Sequence, residues 1–460
     1  MNLYIPNKPT IILLGDIMLD HNIEGNSTKI ANESPIPVVH CKNDYYNIGG
    51  CGNVLLNMVA LGAKDVYLFS KIGDDSNGKK VTSLLPNIIN NMIIDPDYTT
   101  TTKNRIYSDN KLLCRYDNET IKYTTIEEEN KIIEQIETIL SSTLINSVVF
   151  SDYNKGFLTK SLCQKIINLC NRYNVYTIVD PKQDYTKYIN CTVIKPNRSE
   201  TKHIFNIDID KGLIEGHQQL HKMIQCKTSV ITLSGDGISA YDSNIHTCST
   251  ESKEVIDVTG AGDIVCSVLG VLYPYLDIDM VIKIANYVAT ISVSHIGVYT
   301  ITEMDILHMY KYIHNTKKIS LEYFPKSIPI NIVFTNGCFD VLHAAHIELF
   351  KFCRNIGNIV VVGLNSDHSI KRLKGDKRPI YKLEDRIHML EAIEYIDYII
   401  PFEEDTPIEL MKYIQPTIIV KGGDYTKDSI IGKEYAKEVI IFNYIEGKST
   451  TNTIHKMNQI

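Results

Sequence analysis

The sequence predicts an α/β protein with two domains: a doubly wound parallel sheet that carries a small β lid, followed by a smaller domain of the same class. Three observations support this prediction. Short apolar runs alternate with helical patterns one helix length apart, which is typical of βαβ units. Glycine-rich turns follow several of these runs and open helices. A proline-punctuated stretch near residue 325 separates the two series.

Length and composition limit the class of protein. The chain has 460 residues, more than one ordinary core accommodates, which favours two or three domains. Its net charge of -7 gives no overall attraction to nucleic acid or to anionic membranes, so we expect neither as a partner. Eleven cysteines without a Cys-x-x-Cys pair fit reduced thiols in a cytoplasmic protein. No signal-peptide pattern and no apolar run of about 18 residues is visible, so we expect neither export nor a membrane span.

The first apolar run, Ile11 to Leu14, predicts a buried parallel strand that ends in Gly-Asp. Ligands of open parallel sheets bind at the carboxyl ends of the strands. Asp16 and Asp20 are therefore candidates to accept hydrogen bonds from sugar hydroxyls. The alternative, in which they cap the backbone of a loop, stays open.

Residues 22–47 and 99–117 have strand-like patterns and predict the small β lid, in which Arg115 is a candidate substrate ligand. Free edges of such strands favour pairing between subunits, so we expect a homodimer formed through this domain. Gly49 and Gly50 precede a second helix start, and Asn53 within it can offer a donor and an acceptor to a polyol.

Four further strands are predicted at residues 147–151, 177–180, 192–195 and 229–233. Polar residues follow them, and because the strands are parallel, we expect these residues at one edge of the sheet. The candidates are Asp152, Lys182, Asn197, Glu200, Ser234, Gly235 and Gly237.

The segment Gly260-Ala261-Gly262-Asp263 stands directly before the apolar run 264–270 and predicts a tight turn that opens a helix. The N–H groups and the positive end of the dipole of such a helix stabilise the charge on a phosphoryl group in transfer. Asp263, in the first turn, is placed to take the proton from an attacking hydroxyl.

On the motifs Gly49-Gly50-x-x-Asn53 and Asp257-x-Thr259-Gly260-Ala261-Gly262-Asp263, the first 300 residues resemble the ribokinase-like sugar kinase family. The resemblance implies Asp263 as the catalytic base and residues 260–262 as an anion hole. It also implies a sugar site that contains Asp16, Asn53 and the neighbouring glycines. Asn197 and Glu200 would lie near Mg²⁺, with Glu200 acting on the metal indirectly. The implied nucleotide site contains Ser234, Gly235, Gly237 and Asn286.

Residues 310–328 predict a helix followed by a linker, so we place the domains at 1–318 and 330–460 with a linker at 319–329. An apolar strand at 330–335 runs into Asn336 and Gly337. His343 and His346 then lie on one face of a helix start, where both could donate to a triphosphate. Zinc is the alternative, and it would need further ligands.

With Ala345 where the hallmark His-x-Gly-His has glycine, this segment resembles the nucleotidyltransferases of the cytidylyltransferase type. The resemblance implies a Rossmann-like domain. Basic residues such as Arg386 and a hydroxyl-rich helix start suit the phosphates of a nucleotide. The nucleotide-site candidates are Asn336, Gly337, Phe339, Asp367, Lys371, Lys421, Gly423, Asp424, Ser449, Thr450 and Thr451.

A sugar kinase followed by such a nucleotidyltransferase resembles, over nearly the whole chain, the bifunctional heptose kinase and adenylyltransferase family of ADP-heptose synthesis. The resemblance implies phosphorylation of D-glycero-β-D-manno-heptose 7-phosphate at O1. It also implies transfer of AMP from ATP to heptose 1-phosphate, with ATP and Mg²⁺ used by the enzyme. Two alternatives stay open: another sugar-phosphate kinase fused to a polyol-phosphate cytidylyltransferase, and a sugar-nucleotide-binding regulatory protein with a decayed second site.

Overall fold

The computed structural model describes residues 8–109, 111–250, 255–325, 330–423 and 426–442. The chain divides into two compact units, Met1–Thr302 and Glu303–Ile460. This division lies earlier than the expected boundary at residue 318. The reason is that Leu307, Ile319 and Phe324 are all buried in the core of the second unit, so the first part of the expected linker 319–329 contributes to that core.

The strands of the first unit alternate with its helices, as the apolar runs predict. The strands are β1 Thr10–Gly15, β2 Ile17–Ile30, β3 Pro37–Gly50, β4 Asp65–Phe69, β5 Lys71–Gly73, β6 Ile89–Asn90, β7 Ile93–Asp95, β8 Thr102–Ser108, β9 Lys111–Asn118, β10 Ser147–Ser151, β11 Tyr176–Asp180, β12 Val193–Ile194, β13 Thr228–Thr232, β14 Ile238–Tyr241 and β15 Ile245–Cys248. The helices are α1 Cys51–Ala60, α2 Ser76–Leu84, α3 Ile126–Ser142, α4 Lys160–Tyr173, α5 Arg198–Phe205, α6 Leu213–Ile224, α7 Ala261–Leu272 and α8 Ile278–Ser292.

Nine strands form the central sheet, in the order β15-β14-β13-β12-β11-β10-β1-β4-β6. All pairs from β13 to β6 are parallel, and β14 and β15 join antiparallel at one edge. The chain builds the sheet outward from β1 in one direction and from β10 in the other. The gap between the carboxyl ends of β1 and β10 is therefore the topological switch point, where open α/β sheets bind ligands.

Helices cover both faces of this sheet, which confirms the doubly wound prediction. Alternate strand residues such as Ile12 and Phe150 pack with α3 and α4 in one buried cluster. On the other face α7 approaches closely, because a side chain at Gly270 would meet Val149 and Met58 at 2.8 Å. Helix ends are satisfied locally; Thr125, for example, forms a capping box with Glu128 at the start of α3.

The predicted lid is a four-stranded sheet in the order β3-β2-β8-β9. Strands β2 and β8 run parallel in its centre, and the register places Asp20 opposite Lys103 and Asn22 opposite Arg105. Because side chains alternate along a strand, Lys103 and Arg105 share one face of the lid.

The second unit has a five-stranded parallel sheet in the order β18-β17-β16-β19-β20. Its switch point lies between β16 and β19. The strands are β16 Ile332–Gly337, β17 Ile359–Asn365, β18 Tyr398–Phe402, β19 Ile418–Gly422 and β20 Glu438–Phe442. The helices are α9 Glu303–His314, α10 Ala344–Ile356, α11 Asp367–Lys374, α12 Leu383–Glu391 and α13 Ile408–Ile414.

Two further features bear on the expectations from composition. All eleven cysteines are free. Within the described ranges, no helix combines the length and the apolar character that crossing a bilayer requires.

Candidate active sites

The start of α7 brings Asp263 to the carboxyl edge of the first sheet. Gly260 caps the helix with φ of 79°, a left-handed conformation that favours glycine. A side chain at Gly260 would also lie 2.6 Å from the Asn53 amide nitrogen. The helix start therefore approaches α1 more closely than another residue would allow, and Asp263 in its first turn is only 4 % exposed.

Two donors hold the Asp263 carboxylate. Asn53 Nδ2 donates to Oδ2 at 2.9 Å, and the Tyr153 hydroxyl donates to Oδ1 at 2.5 Å. Burial raises the pKa of Asp263, while these donors and the nearby Lys195 and Lys103 oppose the rise. A buried carboxylate with a raised pKa, held by two donors, suits a general base.

Asn53 is itself fixed by a neighbour. The Asn57 side chain donates to Asn53 Oδ1 at 3.1 Å, so the Asn53 amide links α1 to the Asp263 carboxylate. The glycines before it serve close approach. A side chain at Gly49 would lie 2.0 Å from the Asp20 carboxylate, and one at Gly50 would lie 2.4 Å from the Asp16 carbonyl oxygen.

Asp16 caps a loop, which is the alternative that the sequence left open. Its carboxylate accepts hydrogen bonds from the backbone N–H groups of Tyr153 at 2.9 Å, Lys155 at 3.1 Å and Phe157 at 3.3 Å. Asp16 is 4 % exposed, and burial is the main cause that raises its pKa to about 6. It organises the loop that follows β10.

Asp20, on the lid strand β2, pairs with Arg105, with 2.5 Å between Oδ1 and Nη1. Arg115, the arginine that the sequence favoured for the substrate, instead pairs with Asp117 at 2.6 Å and has a side chain 45 % exposed. Lys103 is half-buried near Asp20 and Asp263, and its partial burial lowers its pKa. Lys103 and Arg105 are thus the lid cations nearest the site.

Lys182, Glu200 and Tyr153 line one cavity of about 680 Å³. Asn197 and Glu200 form the capping box of α5, and Glu200 also accepts from Lys182 Nζ at 2.6 Å. Both oxygens of the Glu200 carboxylate thus already accept one hydrogen bond. In the part of the chain that the structure describes, no group of three or more His, Cys, Asp or Glu residues is arranged to hold a metal ion.

The predicted nucleotide residues of the first domain lie at the end of β13 and on α8. Ser234 and Gly237 have positive φ, and nothing lies within 4 Å of the position that a side chain at Gly235 would occupy. Asn286 donates to the Ser249 carbonyl oxygen at 3.1 Å and accepts from the Thr250 hydroxyl at 3.1 Å. Asn286 therefore fixes the chain that follows β15.

The sequence did not single out Tyr153 or Lys103 for this site, whereas Asp180 and Lys195 are among the polar residues at the ends of the predicted strands. Lys195 Nζ lies 3.0 Å from Asp180 Oδ1 and would lie 3.6 Å from a side chain at Gly262. Burial raises the pKa of Asp180 to about 7. The ends of β11 and β12 were visible in the sequence, but not that these two side chains pair beside α7.

The second candidate site lies at the switch point between β16 and β19. Asn336, at the end of β16, accepts from Lys421 Nζ at 2.5 Å. Burial lowers the pKa of Lys421 to about 8. A side chain at Gly337 would meet the Phe339 ring at 3.2 Å, and Phe339 itself has φ of 43°. This turn delivers the chain to α10.

His343 caps α10, and its ring stacks on that of His346 with 3.8 Å between centroids. In the described chain neither Nδ1 atom, although buried, has a hydrogen-bond partner. Burial lowers the pKa of both histidines, that of His346 to about 3. Two neutral imidazoles at a helix start are therefore available to a ligand.

Arg386 differs from its expected role as a phosphate ligand. It is 0 % exposed, and its guanidinium donates to three backbone carbonyl oxygens and to the Asp367 carboxylate at 2.7 Å. Arg386 therefore ties the ends of β16 and β17 together and pairs with Asp367. Lys371 is exposed on α11, and Gly423 follows β19. The candidates Asp424, Ser449, Thr450 and Thr451 lie outside the described residues.

Comparison with known families divides the chain in the same order. Residues 8–304 match the pfkB family of carbohydrate kinases, and residues 334–457 match the cytidylyltransferase-like family. Among curated proteins, the Bifunctional protein HldE of Aliarcobacter butzleri is 37% identical, with 99% of this chain and 98% of the relative covered. That of Sulfurimonas denitrificans is 39% identical, with 98% and 97% covered.

Solved structures resemble the first domain. The phosphofructokinase-2 of Escherichia coli, in complex with potassium, aligns with a TM-score of 0.56 at 16% identity and covers 67% of this chain and 100% of its own. A putative sugar kinase from Clostridium perfringens aligns with a TM-score of 0.53 at 19% identity, covering 67% and 96%. At these identities the likeness establishes the fold.

Proposed function

Because this chain belongs to the family of bifunctional HldE proteins, we propose that its two domains catalyse two separate steps of ADP-heptose synthesis. The first domain is a carbohydrate kinase that phosphorylates D-glycero-β-D-manno-heptose 7-phosphate at O1. The second is a nucleotidyltransferase that joins AMP from ATP to heptose 1-phosphate and releases pyrophosphate. The observation that carries this conclusion is the alignment with these relatives over both domains, in one order and over almost the full length.

In the kinase step, Asp263 is the base. The sugar O1 hydroxyl donates its proton to the Asp263 carboxylate while O1 forms a bond to the γ-phosphorus of ATP and the bond to the β-phosphate oxygen breaks. The backbone of residues 260–262 faces the transferring group, and its N–H groups offset the charge there. The burial of Asp263 and its two donors support this role.

The sugar phosphate needs cations at its far end and acceptors along its hydroxyls. Lys103 and Arg105 on the lid supply positive charge next to Asp20, and Asp20 keeps lone pairs for hydroxyls. ATP then occupies the side of the site lined by Lys182, Asn197 and Glu200, with Ser234, Gly235, Gly237 and Asn286 near its base and ribose.

Magnesium, which kinases of this kind use, fits these residues only through the nucleotide. Mg²⁺ in phosphate-transfer sites binds few protein carboxylates and several phosphate oxygens and waters. Glu200 would act on it through water, because both of its oxygens already accept hydrogen bonds. When bound, the ion supplies charge neutralisation on the transferring phosphates.

In the second domain, His343 and His346 donate to the phosphates of ATP from the start of α10, and Lys421 adds a cation beside Asn336. An oxygen of heptose 1-phosphate attacks the α-phosphorus, and pyrophosphate leaves with the developing negative charge. The unpartnered, buried Nδ1 atoms support this assignment, because a neutral imidazole at this position lacks only a ligand to complete its hydrogen bonds.

We further propose a homodimer formed through the lid, because the outer strand β9 is exposed along its whole length. Cytoplasmic location is also proposed, since both reactions consume ATP and all eleven cysteines are unpaired.

The substrate assignment is tested with the purified chain, Mg²⁺ and a panel of sugar phosphates, with products identified by phosphorus NMR. We expect ATP and heptose 7-phosphate to give heptose 1,7-bisphosphate, and ATP with heptose 1-phosphate to give ADP-heptose. Faster turnover of another sugar phosphate, or a preference for CTP in the second reaction, would favour the first alternative. Binding of sugar nucleotides without turnover would favour the regulatory alternative.

A further inference from the structure

Tyr153 lies at the switch point of the first sheet, between the carboxyl ends of β1 and β10. It follows β10 by two residues, and its hydroxyl reaches the carboxylate of Asp263 on α7 at 2.5 Å. Neither the motif Gly49-Gly50-x-x-Asn53 nor the glycine-rich start of α7 contains it. The residue also lines the cavity that holds Lys182 and Glu200.

Hydrogen bonds to Asp16 hold the loop that carries Tyr153. Asp16 directly follows the neighbouring strand β1, and its carboxylate accepts hydrogen bonds from three backbone N–H groups of residues 153–157, including that of Tyr153. Hydrogen bonds to a charged acceptor are roughly twice as strong as neutral ones. The Asp16 carboxylate therefore fixes the position and orientation of the backbone at Tyr153.

The Tyr153 hydroxyl is a donor at working pH. Burial and the neighbouring Asp263 raise the pKa of Tyr153 well above its ordinary value, so the phenol stays protonated. Asp263 thus accepts one hydrogen bond on each oxygen, from Tyr153 and from Asn53, and two donors on two oxygens fix the plane of a carboxylate. One further lone pair on each oxygen stays available to the sugar hydroxyl.

Other charged groups also act on the Asp263 carboxylate. Lys103 on β8 and Lys195 after β12 favour its ionised form. The charge of Asp263 in turn contributes to raising the pKa of the neighbouring Asp180, Cys51 and Cys266. Tyr153 and Asn53 are the groups among the described residues that donate hydrogen bonds to it directly.

We propose that Tyr153 is a positioning residue of the kinase step, which holds the base Asp263 ionised and oriented toward the sugar hydroxyl, and that Asp16 fixes the loop from which it acts. The inference rests on the proposed function, in which Asp263 is the base. It assigns to Asp16 a part in orienting the base rather than in binding sugar.

The test replaces the hydroxyl alone, in Tyr153→Phe. Without this donor the ionised carboxylate is less stable, so the acid limb of the kinase kcat/KM profile moves to higher pH and kcat falls about 10-fold or more. The KM for ATP stays near its original value. Tyr273→Phe is the matched control, because the Tyr273 hydroxyl lies at the other end of α7 and forms a hydrogen bond with the Thr228 hydroxyl at 2.8 Å. We expect this variant to leave the pH profile of kinase kcat/KM unchanged.

A second variant covers the case in which Tyr153→Phe fails to fold. Replacement of Tyr153 with 3-fluorotyrosine keeps the shape and makes the phenol a stronger donor, so the acid limb moves to lower pH. Acid limbs that stay at the wild-type pH overturn the positioning role. Asp263→Asn, assayed beside them, distinguishes failure of the proposed function from failure of this inference alone. Full kinase activity in that variant, or no kinase activity in the wild type, overturns the proposed function together with this inference.

Discussion

At the scale of single residues, Asp263 is the proposed base of the kinase step. Asp263→Asn preserves the shape and replaces one acceptor oxygen by a donor, so the side chain no longer takes the sugar proton. We expect the kinase rate to fall by about 10²- to 10⁴-fold, the usual contribution of a general base. Adenylyl transfer by the same sample, measured as pyrophosphate release, should stay near wild type. Loss of both activities would point to misfolding instead.

The stacked His343 and His346 are the proposed phosphate donors of the second reaction. His343→Ala or His346→Ala removes a donor to the nucleotide phosphates, and we expect adenylyl transfer to fall by about 10²-fold or more. Kinase turnover in the same protein is the folding control. Normal AMP transfer by either variant would mean that the histidine is a structural residue.

Ala345 stands between them where the related nucleotidyltransferases have glycine. Its side chain is buried, 9 % exposed. If its methyl group crowds the nucleotide phosphates, Ala345→Gly raises the kcat/KM of adenylyl transfer, because small displacements weaken transition-state contacts more than ground-state ones. Since that methyl group is buried, we expect the alternative outcome: a flat or lower rate. A clear increase in pyrophosphate release would show that the methyl group does crowd the phosphates.

His346 also links stability to pH. Its pKa in the folded chain is about 3, below the value of about 6.5 in an unfolded chain. The unfolded state therefore binds more protons between these values, and the free energy of unfolding falls as pH drops from 6.5 toward 3. At pH 5 the loss amounts to roughly 2 kcal/mol. The Tm of His346→Gln should fall less between pH 7 and pH 5 than that of the wild type. An equal fall in both proteins would contradict the lowered pKa of His346.

At the scale of the element, both candidate sites lie at the switch point of a parallel sheet, where the chain reverses the direction in which it adds strands. Asp16 and Tyr153 follow β1 and β10, and Asn336 and Lys421 lie at the ends of β16 and β19. Each pair spans a gap between strands that are far apart in the chain.

Gly49 at the end of β3 lies directly against Asp20, so it is sensitive to substitution. A methyl group there would lie 2.0 Å from the Asp20 carboxylate, so Gly49→Ala must displace Asp20 or the strand that carries it. We expect a KM for the sugar phosphate raised about 10-fold or more, with adenylyl transfer unaffected. An unchanged KM, measured with saturating ATP, would contradict a sugar site at Asp20.

The sequence predicted those parts of the site that are local in the chain. The helix start around Asp263 and the cap at His343 are short motifs with a fixed spacing, and both elements begin where expected. Tyr153 was missed because its contact with Asp263 spans 110 residues and depends on how β10 meets α7. Arg105 was missed because the sequence does not show that its strand β8 pairs with the strand of Asp20, whereas β9, which carries Arg115, lies one strand further out.

Arg386 illustrates the same limit in the second domain. A basic residue on a helix suited nucleotide phosphates, yet its donors are used by carbonyl groups and by Asp367. The linker expected at residues 319–329 likewise contains Ile319 and Phe324, whose burial became visible only with the second core assembled around them.

At the scale of the whole molecule, one chain carries two candidate sites, one at the sheet of each unit. The product of the first reaction has a phosphate at both O1 and O7, whereas the second reaction uses heptose 1-phosphate. A phosphatase must therefore act between them, and the intermediates leave the protein. The two sites need not reside in the same copy of the chain.

The most direct test mixes two inactive variants. Asp263→Asn alone, or His346→Ala alone, is incubated with heptose 7-phosphate, ATP, Mg²⁺ and a heptose-bisphosphate phosphatase, and ADP-heptose is measured by phosphorus NMR. We predict almost no ADP-heptose from either variant and near wild-type formation when the two are mixed. ADP-heptose from either variant alone, or none from the mixture while the wild type is active, would contradict two independent sites in this chain.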